Sequence, residues 1–340
     1  MTTRNRRIVL ASRPTGAASV DNFRLETVAV PELADGQVLV RHRYLSLDPY
    51  MRGRMSDQKS YAAPQPLGEV MIGETAGEVV ASKASGLAPG DAVIGMGGWQ
   101  EYAVVTCDGA RPPIRKVDTS QIALSAYLGA VGMPGITAWY GLNQICEPRP
   151  GETVSVSAAS GAVGSMVGQL ARAKGCRVVG VAGGKAKCDY VTGELGFDAC
   201  IDYKAARDPA AFEARLREAT PGGIDAHFEN VGGMILDAVM RQMNAFGRIA
   251  ICGMIAGYDG APVPLAEPAL ILRSRLKVQG FVVSEHGALW PKARAELAAG
   301  VAAGTLKYRE TVAEGIESAP AAFLGLLHGK NFGKQLVKLA

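Results

Sequence analysis

Apolar and polar positions alternate in short runs over the first third of the chain. Gln37-Val38-Leu39-Val40-Arg41, Glu69-Val70-Met71-Ile72, Gly77-Glu78-Val79-Val80-Ala81, Asp91-Ala92-Val93-Ile94 and Tyr102-Ala103-Val104-Val105 each read as a short strand. Pro/Gly punctuation such as Pro89-Gly90-Asp91 separates them, which predicts a compact, mostly antiparallel β domain. The style changes near residue 125. From about 150, apolar strands at 153–156, 177–181, 199–202, 224–228, 248–251 and 277–282 alternate with helices over about 163–174, 187–195, 210–219 and 234–243. Continuous apolar strands with helices between them predict a parallel sheet covered on both faces, a doubly wound α/β domain. The tail returns to short strand-like pieces at 309–312 and 335–339 and is expected to rejoin the first domain.

Composition narrows the function. A net charge of +4, spread along 340 residues, argues against a nucleic-acid partner, which calls for dense basic runs. A 48% hydrophobic and 20% charged chain is globular. No apolar stretch is long enough to span a membrane, and Ile8-Val9-Leu10-Ala11 is too short for a signal-peptide core, so a cytoplasmic protein is expected. The six cysteines (Cys107, Cys146, Cys176, Cys188, Cys200, Cys252) form no Cys-x-x-Cys pair and read as reduced, mostly buried thiols. With the four histidines they give no clustered metal spacing; His227 and Glu229, on one face of a strand, come nearest and read as structural. Glycine is in surplus at 42 residues, a sign of many tight turns or of backbone cleared for a ligand.

One turn favours the ligand. Ala158-Ala159-Ser160-Gly161-Ala162-Val163-Gly164 links a strand to a helix and fits the dinucleotide fingerprint with Ala159 in the first glycine slot. Gly161 would let backbone approach a pyrophosphate, Gly164 would let the helix pack on the sheet, and the helix N-terminus would hold the charge. A tight strand–helix turn with no ligand is the alternative. An NAD site places a carboxylate after the second strand, but this chain reads Val181-Ala182-Gly183-Gly184-Lys185-Ala186-Lys187. Lysines there suit the 2′-phosphate of NADPH, with Tyr203 adding a hydroxyl, although two surface lysines at a helix start would read the same. The helix dipole disfavours cations at that end unless an anion arrives.

The chain resembles the zinc-independent medium-chain reductases, in the prostaglandin reductase / leukotriene B4 12-hydroxydehydrogenase group with its curcumin-reductase-like bacterial members. The likeness runs along the whole length. It is carried by Leu47-Asp48-Pro49-Tyr50-Met51-Arg52, the run from Gly132-Met133-Pro134-Gly135 to Leu142, Ser160-Gly161-Ala162-Val163-Gly164-Ser165, Asn230-Val231-Gly232-Gly233, Cys252-Gly253-Met254-Ile255, Pro320-Ala321-Ala322-Phe323 and Asn331-Phe332-Gly333-Lys334. It implies a GroES-like catalytic domain over 1–125 with 305–340 and a Rossmann NADP-binding domain over 126–304. It implies that Gly161, Ala162, Val163 and Gly164 hold the pyrophosphate, Lys187 and Tyr203 the 2′-phosphate, and Asn230 the adenosine-ribose side. Met133, Thr137, Cys252, Gly253, Met254, Ile255, Tyr258, Phe281, Val282 and Val283 would border the nicotinamide half, with Asn331 closing over it. Residue by residue, Met133 and Phe281 also read as core, and Asn230 and Asn331 as turn formers. A homodimer is the family's usual state. Where zinc-dependent cousins carry a histidine, this chain has Gly73 in Ile72-Gly73-Glu74, and no cysteine lies near Asp48, so no metal is expected.

Without a metal, a conjugated enone is an easier hydride acceptor than a ketone, because charge spreads to an enolate that a hydroxyl can hold. The resemblance points to Tyr61 and Tyr258 as those hydroxyls, clamping an unsaturated ketone or aldehyde in an interdomain cleft. Either tyrosine could instead be surface or packing. Two alternatives stand beside enone reduction with NADPH: quinone reduction, and a redox sensor or crystallin-like protein that binds NADPH without turnover.

Overall fold

The structure, a computed structural model, describes residues 3–107 and 114–339. The chain divides into two compact units, Met1–Gly129 with Glu310–Ala340, and Ala130–Arg309. It opens with β1 (Arg4–Leu10), β2 (Phe23–Ala29), β3 (Gln37–Ser46) and α1 (Tyr50–Arg54). Then come β4 (Thr75–Ser82), β5 (Ala92–Gly95), β6 (Tyr102–Thr106) and β7 (Arg115–Lys116). The second unit runs α2 (Met133–Tyr140), β8 (Thr153–Ser157), α3 (Gly164–Ala173), β9 (Arg177–Ala182), α4 (Lys185–Gly193), β10 (Ala199–Asp202) and α5 (Pro209–Ala219). It continues through β11 (Ile224–Glu229), α6 (Gly233–Gln242), β12 (Met243–Ile251), α7 (Ala269–Arg273), β13 (Lys277–Gly280) and α8 (Trp290–Ala302). The chain ends in β14 (Glu310–Glu314), α9 (Ala319–Leu327) and β15 (Lys334–Lys338).

The first unit is built on a sheet in the order β14-β15-β3-β4-β5-β7, with β6 also on β3. Its pairings are antiparallel except β14 with β15, so the β domain and the returning tail follow the expected pattern. Its core gathers Leu45, Leu47, Met51, Met55 and Met71 around stacked Phe23 and Trp99 (5.3 Å), with Phe323 of α9 edge-on to Trp99. The run at 69–72 is a correction: Val70 makes only an isolated bridge to Val9. One edge of the segment bonds β1, through the Leu10 N–H to the Glu69 carbonyl at 3.2 Å and the Met71 N–H to the Ile8 carbonyl at 2.9 Å. On the other edge the Gln65 side-chain amide donates to the Val70 carbonyl at 3.0 Å and its oxygen accepts from the Ile72 N–H at 3.1 Å.

Two motifs of this unit meet in a buried ion pair. Lys334 Nζ reaches Asp48 Oδ1 at 2.5 Å and donates to the Leu47 carbonyl at 2.8 Å, while the Ser46 hydroxyl donates to the other Asp48 oxygen. Both charged side chains are almost fully out of water, at 4% and 7% exposure, so each is tolerable only through the other.

The second unit carries an all-parallel sheet in the order β10-β9-β8-β11-β12-β13. Its inner strands β8, β9 and β11 are largely buried, as the continuous runs predict, whereas the edge strand β13 is mostly exposed. The last stops at Gly280, two residues short of the expected 282. Local chemistry sets the helix starts: α5, for example, begins at Pro209 behind Asp208, whose carboxylate accepts from the Ala211 N–H at 2.7 Å. The chain winds outward from β8 to β10 and then crosses to β11. That crossing creates a switch point between β8 and β11, where doubly wound sheets bind ligands beyond their carboxyl ends.

Replacing Lys334 with Met strands the Asp48 charge in a dry site. It is expected to cost about 3–5 kcal/mol, read as a lowered urea midpoint at unchanged slope, and part of the loss returns when Asp48→Asn is added.

Candidate functional site

Residues singled out in the sequence collect at the carboxyl edge of the parallel sheet. The turn after β8 is tight: Ala158 takes a left-handed φ of 50°, and the Gly161 N–H bonds back to the Ala158 carbonyl at 2.9 Å. The first internal helical bond of α3 comes from Ser165 to Gly161, so the amides of Ala162, Val163 and Gly164 head the helix ahead of its ladder. Gly164 is required here, because a Cβ at that position would lie 2.4 Å from the Ala158 carbonyl oxygen. The turn can hold a pyrophosphate against the positive end of α3, with backbone alone making the contacts.

Beyond β9 the surface is cationic. A Cβ on Gly183 would lie 2.9 Å from both Lys204 Cε and Tyr203 Cε1, and 3.1 Å from the Tyr203 hydroxyl, which places that lysine and tyrosine over the strand's end. Lys187 is half-buried in α4; burial, and then the Lys204 charge, hold its ammonium below the ordinary lysine value. Lys185, the other lysine of the run, points away in an exposed pair with Asp189 at 2.7 Å. The carboxylate nearest the site, Asp202, is committed to backbone, accepting from the Gly184 N–H at 2.8 Å and the Lys204 N–H at 3.0 Å. Sequence reasoning missed Lys204, although its place just past the third strand was the available signal.

Glu229 organises the other side of the switch point. Fully buried at the end of β11, it accepts from Ser157 Oγ (2.6 Å), His227 Nε2 (2.9 Å) and the N–H groups of Val231 (2.5 Å) and Gly232 (3.0 Å). Burial alone would raise its carboxyl, yet bonds from His227, Ser157 and Val231 outweigh that and hold it below the usual range. His227 in turn meets Ser155 Oγ through Nδ1 at 2.7 Å. Asn230 is tied down by its N–H to Ser157 Oγ (2.7 Å) and its side-chain amide to the Ser157 carbonyl (2.8 Å). The pair read as structural is therefore a hydrogen-bonded brace.

The loop after β12 hangs on the same segment. The N–H groups of Cys252 and Gly253 donate to the Glu229 carbonyl, that of Ile255 to Asn230, and that of Ala256 to Val231. Tyr258 folds back so that its hydroxyl would lie 3.2 Å from a Cβ on Gly253, with Met254 beside Gly232. Burial, and then the Glu229 charge, push the Cys252 thiol up to about 12, so it is inert as a nucleophile at neutral pH.

The remaining candidate positions make contacts of their own. The Phe281 ring packs inward on Tyr140 and Phe228, at 5.3 and 6.1 Å between centroids. Val283 is buried and gives its carbonyl to Trp290 Nε1 at 3.0 Å; Val282 stands between them, half-exposed. Thr137 spends its hydroxyl on the Met133 carbonyl at 2.7 Å, and the Met133 side chain leans on the core. In the first unit, Asn331 closes its own turn on the Gly333 carbonyl at 2.7 Å. Tyr61 is 60% exposed with the Arg54 guanidinium 5.4 Å above its ring, and Arg54 also donates to the Ala63 carbonyl at 3.0 Å. Among the described residues no group of three or more His, Cys, Asp or Glu is gathered that could hold a metal. A Cβ on Gly73 would lie 2.9 Å from Leu45 Cδ1 and 3.0 Å from Trp99, so a side chain there requires these buried neighbours to shift. Among the described residues no helix is long and apolar enough to cross a membrane.

The chain is similar along its length to known oxidoreductases. Residues 6–112 match a family described as the N-terminal domain of oxidoreductase, and residues 162–299 match one described as zinc-binding dehydrogenase. The NADPH-dependent curcumin reductase of Escherichia coli is 44% identical over 99% of this chain and 97% of its own length. The NADP-dependent 2-alkenal reductase of Nicotiana tabacum is 40% identical over 99% of this chain and 98% of its own. The crystal structure of CurA from Vibrio vulnificus in complex with NADPH superposes with a TM-score of 0.92 at 45% identity, covering 98% of this chain and 99% of that one.

Because the Glu229 carboxyl is depressed in the folded state, its contribution to stability is fully present above the unfolded value of about 4.3 and is lost as pH falls through the lower folded value. Glu229→Gln is therefore expected to unfold at lower urea than the parent at pH 7. The gap should begin to narrow as pH falls below the unfolded value of about 4.3 and close once pH passes below the depressed folded value, where both carry a neutral group at this position.

Proposed function

The chain belongs to the zinc-independent medium-chain dehydrogenase/reductase family, in the group of the curcumin and prostaglandin reductases, and from that premise we propose that it reduces the C=C bond of α,β-unsaturated ketones and aldehydes with NADPH. It is an NADP-dependent oxidoreductase of double bonds. The observation that carries the cofactor assignment is the cation pair over the end of β9. Lys187, depressed by burial and by Lys204, gains a counter-charge when a 2′-phosphate settles beside Gly183. NADPH supplies a hydride when bound. The chain's own part is to hold and to polarise. Backbone amides at the start of α3 and the Gly164 contact seat the pyrophosphate, and the 252–258 loop, fixed through Glu229, borders the nicotinamide.

Hydride addition at the β-carbon moves charge to the carbonyl oxygen as an enolate, and a positioned hydroxyl stabilises that oxygen. We assign this hydroxyl to Tyr258, held over Gly253, with Tyr61 as the second candidate. Protonation at the α-carbon completes reduction.

Lys187→Met is expected to raise the KM for NADPH by about 10–100-fold while leaving that for NADH nearly unchanged, the loss of one charge-assisted phosphate contact. A parent enzyme that prefers NADH would overturn the cofactor reading. Tyr258→Phe should lower kcat with an enone by roughly 100-fold, the scale of removing one oxyanion donor. Steady-state NADPH oxidation with a 2-alkenal, a conjugated ketone and a naphthoquinone tests the substrate class; turnover of the quinone alone would sink it.

A further inference from the structure

Two thiols twelve residues apart lie side by side at the edge of the parallel sheet. Cys188, in α4, and Cys200, in β10, bring their sulfurs to 3.1 Å, and both are free. They line a surface cavity of ≈ 620 Å³ together with Lys185, Asp202 and Arg215, so a small oxidant reaches them from solvent. A disulfide needs about 2.05 Å between sulfurs, so roughly 1 Å of approach closes the bond. The two thiols are also unequal. The hydrogen bond from Cys200 holds Cys188 below the ordinary thiol value, and the same contact, with burial, pushes Cys200 up. The group poised to ionise is Cys188, and the thiolate is the reactive form.

We infer that Cys188 and Cys200 are an oxidisable dithiol whose disulfide weakens NADPH binding. The Cys188 thiolate attacks a peroxide oxygen, the O–O bond breaks, and the leaving hydroxide takes up a proton as water. The Cys200 thiol then attacks the resulting sulfenic sulfur: the S–S bond forms, the S–O bond breaks, and hydroxide leaves with the Cys200 proton as a second water. Two electrons pass from the sulfurs to the peroxide, and a reduced dithiol reverses the bond by exchange.

The consequence for the cofactor follows from where the bond falls, and this part rests on the proposed NADPH site. Cys188 adjoins Lys187, while Cys200 lies two residues before Asp202, which holds the Gly184 and Lys204 amides. Drawing the sulfurs together shifts the first turn of α4 against β10. That changes the spacing of Lys187 from Tyr203 and Lys204, and phosphate contacts depend on that spacing.

The test treats the reduced full chain with hydrogen peroxide, maps cysteine-linked peptides by mass spectrometry, and titrates NADPH by fluorescence before and after. The expected result is a Cys188–Cys200 link, a severalfold weaker NADPH affinity, and recovery with dithiothreitol. Cys188→Ser and Cys200→Ser should bind NADPH like the parent and lose the response. Oxidation confined to other cysteines overturns the inference, as does a link that leaves NADPH affinity unchanged or a response that survives in both serine variants. The peptide map needs neither cofactor nor turnover, so a reduced chain that fails to bind NADPH counts against the proposed function, not against the dithiol.

Discussion

A carboxylate with no access to water governs the carboxyl edge of the parallel sheet. An isolated buried charge would be untenable, and Glu229 persists because its donors come from three directions: Ser157 on β8, His227 on its own strand, and the amides of Val231 and Gly232 ahead of α6. Strand, neighbour and following helix are thereby locked together at the switch point. The backbone of the same segment holds the 252–258 loop, through the carbonyls of Glu229, Asn230 and Val231. Ser157, whose hydroxyl donates to Glu229 and accepts from Asn230, stands at the start of the phosphate-binding turn. The segment around this buried charge thus connects the phosphate-binding turn to the 252–258 loop.

The two halves of that surface use opposite electrostatics. Around Glu229 every charge is answered from within, which makes the region rigid and indifferent to ligand. Beyond β9, Lys187 and Lys204 repel each other while the nearby Asp202 is committed to backbone amides. A phosphate bound there as proposed would relieve that repulsion as well as add contacts.

The legible parts were those with local signals. The alternation of apolar strands and helices after 150 identified the parallel sheet, and the Gly161–Gly164 turn was read from a strand before it and a helix after it. What stayed hidden depends on partners distant in sequence. β1 begins with Arg4, Asn5, Arg6 and Arg7, with no apolar residue to announce a strand. It is one because it pairs along its length with β2, from Arg4 opposite Ala29 to Leu10 opposite Phe23, and buries Ile8, Val9 and Leu10, while Glu101 and Glu26 answer Arg6 and Arg7 at 2.6 and 2.9 Å. Glu69-Val70-Met71-Ile72 has the right pattern for a strand, and one edge does bond β1, but the Gln65 side chain takes the Val70 carbonyl and the Ile72 N–H on the other. Asp48 and Lys334 each sit in a motif that sequence singles out, yet nothing local says that one neutralises the other. Spacing put His227 and Glu229 on one strand face without revealing the donors that make the carboxylate tenable.

The first unit bears on why hydroxyls would carry the chemistry. Matching a family described as zinc-binding dehydrogenase invites the thought that a ligand could be restored at position 73, but the space is already filled by Leu45 and Trp99, whose ring belongs to the aromatic core with Phe23 and Phe323. A histidine there would have to displace that packing, at a cost of the order of 1–3 kcal/mol or more. The carboxylate of the Asp48 motif is likewise taken, bound by an internal ammonium. These residues leave polarisation of a substrate oxygen to hydrogen-bond donors. Such donors stabilise the oxygen of an enolate, whose charge is shared along the conjugated system. The packing around Gly73 and the Tyr258 hydroxyl over Gly253 thus bear on the proposed double-bond reduction from two separate units of the chain.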